Sequence, residues 1–97
     1  MRFLLTIAIC AAGLSASMPA SHAQNQARCE AYWVERNTIL KTYRYCFRSP
    51  RATFSFGNSG CLYNRVEAIP LPPFERDRLG EIRAMEAGLR CPSRRAS

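Results

Sequence analysis

Residues 29–47 read CEAYWVERNTILKTYRYCF, and this stretch decides what kind of protein the chain can be. At 100° per residue, Tyr32, Trp33, Ile39, Leu40 and Tyr43 fall within one arc of a helical wheel, while Glu35, Thr38, Lys41 and Thr42 fall outside it. The spacing predicts an amphipathic helix from Cys29 to about Tyr43, ended at Arg44 and Tyr45 without a glycine. Trp33, Ile39 and Tyr43 should face a core that Phe47 joins just beyond the helix. Arg36 is the exception. It projects from the middle of the apolar arc, where a guanidinium must reach water or meet a carboxylate.

Toward the N-terminus, Met1 and Arg2 form a short positive segment, and the apolar run Phe3 to Leu14 is broken only by Thr6. Ser21, His22 and Ala23 then offer small residues at the two positions a signal peptidase reads, so residues 1–23 read as a secretory signal cleaved before Gln24. Ile9 stands before Cys10 where lipidation would need a small residue, and Cys10 should leave with the signal. Residues 24–28 read as a flexible lead-in, 29–91 as one small domain and 92–97 as a basic flexible tail. Cleavage leaves 97 − 23 = 74 residues, a chain with a thin core that needs staples. The four remaining cysteines, Cys29, Cys46, Cys61 and Cys91, argue for two disulfides in an exported protein. With no close Cys-x-x-Cys pair, a zinc site is disfavoured, and neither metal nor cofactor is expected.

Toward the C-terminus the composition changes. Pro50, Gly57, Asn58, Ser59 and Gly60, then Pro70, Leu71, Pro72 and Pro73, mark a long irregular connection. Its aromatics Phe54, Phe56 and Tyr63 should cover the helices, and the alternation of Thr53, Phe54, Ser55 and Phe56 allows at most one very short strand. Ile69 to Pro73 reads as a rigid approach to a second helix, Phe74 to Ala87, with Pro73 in its first turn and Gly88 as its C-cap. Leu79, Ile82 and Leu89, flanked by Met85, form its inward face, and Glu75 and Glu86 lie on that same face. The expected fold is mainly α: a disulfide-stapled antiparallel pair of helices joined by the long loop.

That geometry selects the disulfides. Cys29 and Cys46 stand at opposite ends of the first helix, roughly 20 Å or more apart at 1.5 Å per residue, too far to be bridged. Antiparallel packing brings the start of the first helix beside the end of the second. It therefore pairs Cys29 with Cys91 and Cys46 with Cys61, and sets Arg36 near Glu86 as an interhelical ion pair that fixes register.

Arg36, Asn37 and Ile39, followed by Tyr45 and Phe47, resemble the YARHG domain, whose pattern runs from an Arg-Asn-x-Ile helix through a Tyr-Ala-Arg-His-Gly segment to Tyr-x-Phe. Glu75, Leu79, Ile82 and Glu86 are similar to the spaced glutamate, leucine and isoleucine of its distal helix. The resemblance spans about Cys29 to Cys91. Leu40, Lys41, Thr42, Tyr43 and Arg44 stand where the namesake segment belongs, so its arginine, histidine and glycine are missing and this chain is a divergent member. The resemblance implies a small extracellular bacterial module, sometimes attached to cell-wall-binding domains, with no established reaction.

The function classes narrow by inventory. The single histidine, His22, leaves with the signal and the cysteines are oxidised, which removes a histidine base and a thiolate nucleophile, so no enzyme is expected. The mature net charge is 13 − 7 = +6, with twelve of the thirteen cations arginine. An exported, basic, small module suits an anionic cell-wall or envelope polymer, with Arg48, Arg51 and Arg65 of the stapled loop as contacts and Tyr63 for stacking. The alternative is a secreted inhibitor or interaction factor presenting the Cys46–Cys61 loop to a partner protein. Export argues against nucleic acid, no later stretch is apolar enough for a transmembrane segment, and the location is periplasmic or secreted.

Overall fold

A computed structural model describes residues 17–92, with side chains from Ser21 onward. Residues 1–16 of the expected signal, Cys10 included, and the tail 93–97 lie outside the described residues. The chain is mainly helical: α1 covers Ser17–Thr42, α2 Pro50–Phe56 and α3 Pro73–Gly88, and Val66–Ala68 form a 3-10 turn. Disulfides join Cys29 to Cys91 and Cys46 to Cys61, with Cα separations of 5.5 and 5.1 Å. By loop closure they contribute on the order of 4 and 3 kcal/mol respectively.

The first helix starts well before Cys29, so Gln24 to Arg28 is no loose lead-in but part of α1. Alanine, glutamine and arginine are good helix formers, and nothing between Ala20 and Thr42 is glycine or proline. Local propensity thus carries the helix through an exposed segment that has no core to reach. Its far end turns back at Arg44, which takes φ 69°. Tyr45 N–H donates to Leu40 O at 3.0 Å and Arg44 N–H to Lys41 O at 3.1 Å, a Schellman turn with arginine in the left-handed position.

The third helix ends the same way, one residue later than its glycine suggests. Gly88 stays inside α3, Leu89 is the C-cap, and Arg90 takes φ 59°. Cys91 N–H donates to Glu86 O at 2.9 Å and Arg90 N–H to Ala87 O at 3.1 Å. Arg90 thus holds the left-handed position, and Cys91, which follows it, forms the disulfide with Cys29.

The connection contains a helix where the sequence suggested loop or strand. Ser49 caps α2 by accepting from Ala52 N–H at 3.1 Å, Pro50 occupies the first turn, and Gly57 leaves it at φ 73°. These start and stop signals outweigh the alternation of Thr53 to Phe56. Consequently Phe54 does not cover the helices: it is 92% exposed, whereas Ala52 on the other face is fully buried. The extended pairing present is an isolated parallel bridge between Tyr45 and Tyr63, where Cys46 N–H donates to Tyr63 O at 2.7 Å. Asn58 closes the stapled loop by accepting from Phe47 N–H and donating to Phe47 O.

Trp33, Ile39, Leu40, Phe47, Ala52, Ile69, Leu71, Leu79 and Ile82 make the core. Phe56 stands between Trp33 and Phe47, with ring centroids 5.7 and 5.3 Å away, while Tyr43 is only half-buried against the cluster. Ile69 and Leu71 come from the proline-rich approach, which therefore packs as well as spaces.

Antiparallel packing of α1 and α3 is pinned by two ion pairs. Arg36 Nε and Nη2 donate to the two carboxylate oxygens of Glu86 at 2.9 Å each, with both side chains buried. Arg78 Nε and Nη2 donate to Glu35 at 2.7 and 2.8 Å, and its Nη1 donates to Glu81 at 3.0 Å. Hydrogen bonding to Arg78 holds the Glu35 carboxyl below its ordinary value, and the same contact raises Arg78.

Candidate binding cavity

Where α1, α2 and the end of α3 meet, a cavity of about 470 Å³ opens beside the Cys29–Cys91 disulfide. It falls within the usual size of a small-ligand site. Arg36 and Glu86 lie at the protein side of the cavity, each satisfied by the other. The neighbouring buried amide of Asn37 donates to Trp33 O at 2.9 Å and braces the same turn of α1.

Arg51 is held over this floor from α2. Its guanidinium carbon lies 3.6 Å from the centre of the Trp33 ring, and its Nη2 pairs with Glu30. Cation–π stacking on a desolvated indole fixes the arginine's plane. The pairing with Glu30 is weaker in kind, because both side chains are about half exposed.

Arg90 reaches the cavity from the other side. It is exposed, and among the described residues its side chain takes part in no hydrogen bond or ion pair. The left-handed turn and the adjoining disulfide set its backbone. Asn25, Gln26 and His22 of α1 and Leu89 and Pro92 of the opposite wall complete the mouth. Among the described residues the lining side chains carry three positive and two negative formal charges, Arg36, Arg51 and Arg90 against Glu30 and Glu86, so the excess is 3 − 2 = +1.

The four ligand-binding candidates from the sequence do not form one site. Arg51 alone among them lines the cavity. Tyr63 is half-buried against the core through its bridge to Tyr45, and Arg65 is exposed, 3.8 Å from Glu67. Arg48 is exposed and makes no hydrogen bond or ion pair among the described residues. Arg90 and Glu30 went unnoticed in the sequence although each flanks a cysteine of the same disulfide. The disulfide brings the neighbours of its two cysteines together, and that adjacency was the available signal. A second depression of about 260 Å³ lies by the other disulfide, near Lys41, Arg44 and Tyr45. Its lysine already donates to Gly57 O at 3.3 Å. Among the described residues no three of His, Cys, Asp and Glu gather as a metal site would.

Comparison with curated proteins returned no match, and neither did comparison with solved structures. The family model described as the YARHG domain matches residues 7–87, most of the chain and nearly all the helical framework around the cavity. This protein belongs to the YARHG domain family.

Proposed function

We propose that this is an exported binding module, not an enzyme, which recognises an anionic component of the cell envelope at the Arg51–Arg90 cavity. The observation that carries the reading is the pair of positioned arginines. One lies over the Trp33 ring and the other has no carboxylate partner among the described residues, beside a buried Arg36–Glu86 pair that is already closed on itself. Two disulfides suit a protein that works outside the cytoplasm. Signal cleavage before Gln24 would remove His22 from the mouth and leave Asn25 and Gln26 on its rim.

Co-sedimentation of the exported protein with insoluble cell-wall polymer tests the reading. Retention should weaken as salt rises, and Arg90→Glu should lose about tenfold in affinity, the worth of one charge-assisted contact. Salt-insensitive retention unchanged in Arg90→Glu and Arg51→Glu would remove the support.

A second reading has its own observation. Phe54 is 92% and Leu62 60% exposed, one within and one beside the Cys46–Cys61 loop, as a segment shown to a partner protein would be. Capture of a single protein, insensitive to salt and lost in Phe54→Ala, would favour it.

A further inference from the structure

We infer that the cavity takes the C-terminal carboxylate of a short peptide, an inference that rests on the anionic-ligand reading and narrows it. Among the described residues the side chains lining the cavity carry one positive charge in excess, which a carboxylate matches in sign. Arg51 already holds a carboxylate, that of Glu30. Because this contact is exposed and weak, a ligand carboxylate exchanges for Glu30 like for like and gains Arg90 as a second donor.

The rest of the lining separates peptide from acidic sugar. A sugar ring binds best against an open aromatic face, but Trp33 is only 4% exposed and its face is occupied by Arg51. What remains open is amide and aliphatic. Asn25 and Gln26 each offer a donor and an acceptor, as a peptide group requires. Leu89, Pro92 and the disulfide provide an apolar wall suited to a small aliphatic side chain. Main-chain carboxylate, adjoining amide and side chain occur together at fixed spacing at a peptide C-terminus, where capture of the carboxylate gives register.

The chain's one tryptophan is the probe, since Trp33 lies beneath Arg51 at this site. The exported protein is titrated with N-acetyl-alanyl-alanine, its C-terminal amide and glucuronate, following Trp33 fluorescence. The expected result is a saturable change with the free acid that is at least about tenfold weaker with the amide, and equally weakened in Arg90→Gln at unchanged melting temperature. Equal response to acid and amide, tighter response to glucuronate, or no response to any of the three overturns the peptide assignment. If polymer retention persists in those cases and remains sensitive to Arg90→Glu, the broader anionic-ligand reading stands. If that sensitivity is also absent, both fall.

Discussion

The two Arg–Glu pairs between α1 and α3 use the same groups and the same two-pronged geometry with opposite polarity. In one the arginine is on α1 and its partner Glu86 on α3, with side chains 2% and 5% exposed. In the other the glutamate is on α1 and Arg78 on α3, at 41% and 39% exposure. Solvent makes them different devices. Glu86 and Arg36 are almost wholly shielded from water, so each depends on the other, and any slip of one helix along the other leaves two shielded charges unpaired. Glu35 and Arg78 would be hydrated if parted, so their contact tunes the packing without enforcing it.

The sharpest way to break this contrast is Glu86→Ala, which strands Arg36 and should cost about 3–5 kcal/mol in chemical denaturation. A loss no greater than that of an ordinary surface substitution would show that Arg36 finds water. Replacing both partners with apolar residues, Arg36→Met with Glu86→Leu, should recover most of the loss or exceed the parent stability, since two desolvation costs disappear together. A double variant as unstable as the single one would mean that packing around the pair, and not its charge, holds the helices in register.

Arg78→Ala should lower the melting temperature by a small fraction of the Glu86→Ala effect, and added salt should shrink the difference further. Its signature is in acid. The folded-state pKa of Glu35 lies below its ordinary value of 4.5, so its contribution is present above that value and is lost as pH falls through the lower, folded one. The parent should therefore lose more stability than Arg78→Ala between neutral pH and about pH 3. Parallel acid profiles would show that Arg78 does not hold the carboxyl down.

The contrast also explains what could be read in advance. An arginine in the middle of an apolar arc announces a buried partner, and helix length alone forbids Cys29–Cys46, so the antiparallel framework was legible from spacing. Glu35–Arg78 was not, because exposed charges at helical intervals look alike whether paired or hydrated. The α2 helix was hidden by competition between two short patterns: Ser49, Pro50 and Gly57 bracket a helix while Thr53 to Phe56 alternate like a strand. Burial of Ala52 and packing of Phe56 against Trp33 of α1 decide between them, and that is a tertiary fact. The cavity was legible only in part, through Arg51. Arg90 acquires its position from a left-handed turn that the sequence marks with no glycine, and Glu30 matters because α2 brings Arg51 over it.

The disulfides are nested: the Cys46–Cys61 link lies wholly inside the segment closed by Cys29–Cys91, whose sequence separation is 62. A single protease cut anywhere between these outer cysteines therefore leaves one covalent molecule. A cut inside the inner loop leaves the fragments tied at two places. Exposed Phe54 stands on that doubly tied segment, where a cut separates the fragments least. This wiring lets a nicked molecule keep its two long helices, and the cavity between them, in one piece.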